Sequence, residues 1–236
     1  RVEIIHTHQS RAHTFGVLLR FFCSSKLVAT AHNRKMQLHW CLNHHVIAVS
    51  EATAKFHRRF NFCRRKRISV IHCFVGAATE DHRSTDTTIR QELGLHESQP
   101  LIGTVGCVTR RKGLIFLVEA LPIILRAFPL ARVLSVGSPD NSGYQEAVLK
   151  RAEELGVTHA LFFAGSRSDI TSILDTIDLF VLPSIEEQIP VALLEAMSSE
   201  KPVIASAVGG IPECICHETD GLLVPPATPY ALADAV

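Results

Sequence analysis

Residues 179–197, LFVLPSIEEQIPVALLEAM, constrain the fold of this chain more than any other stretch. They open with an unbroken apolar run, the pattern of a strand buried on both faces of a parallel sheet. Pro183 and Ser184 end the run, and Glu186 and Glu187 follow in a turn. A helix is expected from Ile189 or Pro190, because a proline at the first helical position gives up no hydrogen bond. Glu195 then falls roughly two turns into that helix. In a doubly wound sheet, ligands sit beyond the carboxyl ends of the strands, where this turn belongs. A helix start there offers free N–H groups and a positive dipole end, which suit a pyrophosphate. Ionised carboxylates beside it are strong acceptors for sugar hydroxyls. On spacing alone, Glu186 and Glu187 read equally well as solvated turn residues.

The same strand–helix alternation runs through the chain. Apolar runs at 2–5, 27–31, 46–49 and 68–72 alternate with helical patterns at 11–22 and after Ser50, a suitable N-cap. Further strands are expected at 101–108, 133–137, 160–164, 203–206 and 221–224, so that with 179–182 the second part has six. Helical patterns fall at 85–95, from 114 to about 127, and at 145–156, the last ended by Gly156. A tight turn at Gly209 and Gly210 opens a short helix. Alternation of this kind predicts βαβ units and parallel sheets, an α/β chain. The polar residues 97–100 divide it into domains 1–97 and 98–236.

With 47% hydrophobic and 20% charged residues the chain has ample material for a core. No run approaches the ~20 apolar residues that span a bilayer, and no secretory signal is expected from the opening residues. The chain begins at Arg1, directly before a strand-like run, and ends within a helical pattern, as a piece truncated at both ends would. Seven scattered cysteines with no CxxC indicate neither a zinc ribbon nor a disulfide framework. Free thiols in a reducing cytoplasm are the simplest reading.

Residues 1–96 hold fifteen Lys or Arg against six acids, and the remainder nine against seventeen. The basic half is expected to face something anionic. Its densest runs, 57–59 and 64–67, lack an aromatic-interleaved or recognition-helix pattern, so nucleic acid is not expected. Taken alone, these runs read as a solvated basic face. Eleven of thirteen histidines precede Leu101, but an H-x-H with the adjacent His44-His45 pair forms no recognised ligand set, so no metal is expected.

Glu187 and Glu195, with seven residues between them inside PSIEEQIPVALLEAMSSEKPVIAS, resemble the E-x7-E signature of retaining glycosyltransferases of the GT-B fold, and more narrowly of family four. The following VGGIPECICHETDGLLVPPATPYALADAV continues the family pattern. In the first domain, His6-Thr7-His8 and Thr30-Ala31-His32 are similar to its H-x-H and T-x-H motifs, although the family's opening strands and glycine-rich acceptor loop are absent. Gly106, Lys112 and Gly113 match a glycine–arginine–leucine–x3–lysine–glycine pattern, with Cys107 in place of the arginine. Gln188 stands where the family has glycine, and 72–76 lacks its Asn and Asp.

The resemblance implies two Rossmann-like parallel-sheet domains of GT-B type, the N-terminal one incomplete. It implies transfer of a hexose, with retention, from a UDP- or GDP-sugar to a hydroxyl of a glycolipid or polysaccharide, as in polysaccharide and lipopolysaccharide biosynthesis. No cofactor and no metal are implied. Relatives that act on lipid carriers imply peripheral contact of the basic first-domain face with an anionic membrane, against which stands the reading of a solvated face. Lys112 would neutralise the departing phosphate, with Arg110 or Arg111 partly replacing the missing guanidinium. Gly106 and Gly137 would lie under the nucleotide, Arg167 beside the base, Glu187 on the sugar hydroxyls and Glu195 on the ribose. His8 would position donor or acceptor at the reacting centre; as a strand-end histidine it also suits a hydrogen bond to backbone. The rival readings are a non-catalytic nucleotide-sugar-binding remnant, given the departures, and a nucleotide-sugar epimerase of the same fold.

Overall fold

The computed structural model describes residues 2–8, 10–76 and 89–236. They form two compact units, Arg1–Cys73 and Phe74–Val236. The first is a four-stranded parallel sheet in the order β1-β2-β3-β4, with β1 Ile4–His8, β2 Lys26–Ala31, β3 His45–Ala48 and β4 Ile68–Val70. Helices α1 (Ser10–Leu19) and α2 (Glu51–Phe60), with a 3-10 turn at Leu38–Leu42, pack on one of its faces. Ser50 caps α2 as expected, its Oγ accepting from Thr53 N at 3.0 Å. The core there is built on Trp40, with Ala29, Ala31, Val46, Ala48, Ala54 and Ile68. Strand β1 lies later than the run at 2–5 and takes in His6 and His8, which alternate outward from the sheet.

The second unit is a six-stranded parallel sheet. Its strands are β5 (Leu101–Val105), β6 (Arg132–Val136), β7 (Leu161–Gly165), β8 (Leu179–Leu182), β9 (Val203–Ser206) and β10 (Leu222–Val224). All six strands lie at the apolar runs. Their order is β10-β9-β8-β5-β6-β7. Neighbours along a strand point to opposite faces, so Leu101 and Ile102 join different apolar clusters. One cluster takes in α4 (Leu114–Ala127), α5 (Tyr144–Glu154) and α8 (Pro229–Ala235); the other takes in α6 (Ile170–Thr176) and α7 (Val191–Ser198). Helix α6 is absent from the sequence reading. Because β5 lies beside both β6 and β8, the chain winds outward one way through β6 and β7 and the other way through β8, β9 and β10. The winding reverses between β5 and β8.

Of the pattern expected at 85–95, residues 89–95 are described, with helix α3 at Ile89–Glu92; residues 77–88 lie outside the described residues. Ile89, Leu93 and Leu95 join the second unit's core. Arg90 Nη2 meets Asp178 Oδ2 at 2.6 Å. This helix therefore packs with the second unit, whereas the division at 97/98 put it with the first.

Candidate active site

The switch point at the carboxyl ends of β5 and β8 is where a doubly wound sheet opens a crevice. After β5, a 3-10 turn at Arg110–Lys112 presents two cations to it, and after β8 the turn at 183–190 presents Glu187. Backbone hydrogen bonding continues past the strand ends, with Gly106 N donating to Val136 O at 2.8 Å and Gly137 N to Gly165 O at 2.7 Å. A Cβ on Gly137 would lie 2.2 Å from the Gly106 carbonyl oxygen, so a side chain there would push these two turns apart.

Glu187 is buried, 4% exposed, while Glu186 beside it is exposed. Lys112 Nζ lies 2.6 Å from Glu187 Oε1, Ser184 Oγ donates to the same oxygen at 3.0 Å, and an Arg111 Nη lies 3.3 Å from Oε2. That Arg111 guanidinium also donates to the Glu186 carbonyl, and Ile185 N donates to the Arg111 carbonyl, so the two turns are tied by side chain and backbone. The alternative of two solvated turn residues therefore applies to Glu186 alone. Gly209 and Gly210, read from sequence only as a turn, back this loop. Gly209 has φ +59°, and a Cβ there would lie 1.8 Å from the Glu187 carbonyl oxygen.

Helix α7 begins at Val191 with Pro190 as N-cap, so Glu195 lies just over one turn into it rather than two. Glu195 is half-buried and has no side-chain hydrogen bond or ion pair among the described residues. Cys107 and Arg110 are exposed beside the same turn. Arg167, after β7, is held by two carboxylates. Asp169 accepts from its Nε at 2.8 Å and Nη2 at 2.6 Å, and Glu92 from Nη1 at 2.7 Å. The same pairing lowers the Asp169 pKa. Tyr144, missed in the sequence, accepts at its hydroxyl from Ile115 N in the first turn of α4, at 3.1 Å; burial raises its pKa.

His8 stands in the other unit, at the end of β1, with its Nδ1 2.9 Å from His32 Nε2 and its ring beside His6 at 4.4 Å. It pairs with a side chain, not with backbone. His6 Nε2 lies 2.8 Å from Thr30 Oγ1. Among the described residues no group of three or more His, Cys, Asp or Glu is placed to hold a metal ion, and the cysteines are free. No helix among them is long and apolar enough to cross a membrane.

The profile of the family described as "Glycosyl transferases group 1" matches residues 99–236, more than half of the chain and including Lys112, Arg111, Glu187 and Glu195. The chain belongs to that family. This member of the group 1 family is 27% identical, over 99% of its length, to an uncharacterised glycosyltransferase of Methanocaldococcus jannaschii. It is 34% identical, over 65% of its length, to D-inositol 3-phosphate glycosyltransferase of Corynebacterium urealyticum. It spans 65% of the first relative and 38% of the second. Its fold is that of Anabaena HepE, solved with UDP and glucose, at a TM-score of 0.87 and 23% identity, covering 98% of this chain and 66% of that one. Sucrose-phosphate synthase of Thermosynechococcus elongatus superposes at a TM-score of 0.83 with 25% identity, covering 98% of this chain and 63% of that one. The fold is therefore GT-B.

Proposed function

We propose that the protein transfers a hexose from a UDP- or GDP-sugar to a hydroxyl of a glycolipid or polysaccharide acceptor, with retention of anomeric configuration and without a metal. The observation that carries this reading is the Lys112–Glu187 pair, in contact at 2.6 Å at the point where the sheet's winding reverses. A leaving nucleoside diphosphate gains negative charge as the glycosidic bond breaks, and a positioned ammonium stabilises that charge in the transition state. Lys112 supplies it, with Arg111 on the same turn as a second cation. Gly137 lets the turn after β6 pack on the Gly106 carbonyl, and a Cβ on Gly106 would lie 3.2 Å from Lys112 Cε, so its absence leaves room for the lysine at the phosphates.

Glu187 has two roles in this picture. Its carboxylate holds Lys112 and Arg111 in place and presents acceptor lone pairs to sugar hydroxyls. The half-buried Glu195 takes the ribose hydroxyls. Arg167 borders the base, its plane set by Glu92 and Asp169. His8 positions the reacting groups, with His32 fixing its ring. HepE, crystallised with UDP-glucose as well as UDP and glucose, supports a nucleotide-sugar donor by shared fold.

Calorimetric titration with UDP-glucose, GDP-mannose and the free diphosphates tests the donor half of this reading. The expected result is binding of at least one of them, weakened roughly tenfold or more by Lys112→Ala, since a hydrogen bond to a charged group contributes about 1.5–3 kcal/mol. Absence of binding by every nucleotide sugar would overturn it.

A further inference from the structure

Strands β5 and β6 carry the same pattern on the face covered by α4. Ile102, Thr104 and Gly106 on one match Val133, Ser135 and Gly137 on the other: an apolar residue, a hydroxyl and a glycine at alternate positions. The register sets Ile102 beside Val133 and Thr104 beside Ser135. Ile102 and Val133 belong to the apolar cluster of α4. The two hydroxyls therefore stand side by side at the edge of that core, one step before the glycines where the turns begin. Ser135 is 2% exposed, and neither hydroxyl has a hydrogen-bond partner among the described residues.

A cavity of about 10 Å³ adjoins both hydroxyls and is lined also by Gly106, Lys112 and Leu114. It has room for one water and is too small for a phosphate group. A Cβ on Gly106 would lie 3.4 Å from Lys112 Nζ, so the ammonium lies close to the glycine that lines the cavity. An ammonium has three N–H donors. One meets Glu187 Oε1 at 2.6 Å, and the other two have no partner among the described residues. Leaving buried hydroxyls unpaired is costly, and buried water is found where several polar groups converge on such a space.

We infer that this cavity takes one water, bound by Thr104 and Ser135 and accepting from Lys112 Nζ, and that Thr104 and Ser135 are positioning residues for the lysine. The count closes for the water, which accepts from the ammonium and donates to both hydroxyl oxygens. With one N–H on Glu187 and a second on the water, rotation of the ammonium is stopped and its third N–H is aimed outward. A diphosphate then meets a donor that is already oriented. The inference deepens the donor reading and rests on it, because Lys112 acts at the diphosphate.

The test is a pair of near-isosteric changes, Thr104→Val and Ser135→Ala, made together and read by urea unfolding and by calorimetric titration with UDP and GDP. Stability is expected to hold or rise, since replacing buried polar groups by apolar ones of similar shape is nearly neutral. Affinity for whichever nucleotide binds is expected to fall roughly threefold to tenfold, less than for a direct bond because the contact runs through water. Thr104→Ser, which keeps the hydroxyl, should restore the affinity of the unsubstituted chain. In a Lys112→Ala background the double change should have no further effect, a result that a merely structural role would not give. Should the pair unfold, Thr104→Val alone carries the same comparison. A high-resolution crystal structure of the unsubstituted chain should show the water within hydrogen-bond distance of all three groups. Full affinity in the double variant, an equal loss with and without Lys112, or a dry cavity would overturn the inference. If neither nucleotide binds the unsubstituted chain, or Lys112→Ala binds as tightly as it does, the donor reading itself fails and takes this inference with it.

Discussion

Lys112, Ser184 and Arg111 all donate to the carboxylate of Glu187, so its substitution acts on stability as well as chemistry. The sequence allowed a solvated turn carboxylate whose loss would leave the fold untouched, and the burial of Glu187 overturns that expectation. Glu187→Gln keeps the shape and an acceptor but leaves Lys112 and Arg111 facing a neutral amide. Urea unfolding should show a loss of about 1.5–3 kcal/mol, the range for a hydrogen bond to a charged group, together with weaker UDP-glucose binding. Unchanged stability would mean the three contacts are not maintained in solution. Cys107 is the converse case, an exposed thiol where the family pattern has arginine. A guanidinium gives two parallel charge-assisted bonds to phosphate, and a neutral thiol gives one weak donor. Cys107→Arg should therefore tighten UDP and GDP by at least about tenfold, with the gain shrinking in salt. Unchanged calorimetric affinity would assign the role to Arg110 or Arg111 already.

At the level of elements, the turn at Gly209 separates two effects that glycine substitutions usually mix. Gly209 and Gly156 have nearly the same φ, +59° and +68°, but a Cβ at Gly156 meets nothing within 4 Å. Gly156→Ala should cost only the left-handed conformation, roughly 1–2 kcal/mol. Gly209→Ala adds a collision with the Glu187 carbonyl and should cost more, with a loss of nucleotide affinity that Gly156→Ala does not share. Equal costs in urea unfolding would mean that Gly209 does not support the Glu187 loop. The β8 strand, its acidic turn and α7 were legible because a strand buried on both faces is an apolar run and a proline marks the helix start. Helix α6, ITSILDT, was not, since it is seven residues long, rich in β-branched residues and too short to show a period. Strand β1 was placed early because His6 and His8 project from it and break the apolar run. The pairing of Lys112 with Glu187 joins positions 75 apart through the sheet order, which no local pattern records.

Over the whole molecule, the two units differ in what acid does to them. The first buries His13 and His57 completely, both against Trp40, with ring centroids 4.1 and 4.5 Å away, and His39 stacks on His13 at 4.7 Å. Burial, then the neighbouring His39 and His57, pushes the His13 pKa down to about 4, and burial lowers those of His39 and His57. The neutral form is thus favoured in the folded state, while the unfolded chain takes up the proton near the ordinary value of about 6.5. Stability is full above that pH and declines as pH falls towards about 4, where the folded His13 would also be protonated. For His13 alone the loss approaches about 3 kcal/mol. Among the described residues of the second unit, the histidines His96, His159 and His217 are all exposed, so among the described residues this source of acid sensitivity belongs to the first. Trp40 is the sole tryptophan, and its fluorescence reports the first unit selectively. Its urea midpoint should fall as pH is lowered from about 7 to about 4.5, further than the midpoint seen by far-ultraviolet circular dichroism, to which the second unit contributes most. His13→Leu, which fills the site without a titrating group, should flatten the fluorescence dependence and leave the remainder due to His39 and His57. A Trp40 midpoint independent of pH in the unsubstituted chain would show that these rings reach water and that the first unit's core is looser than its packing against Trp40 requires.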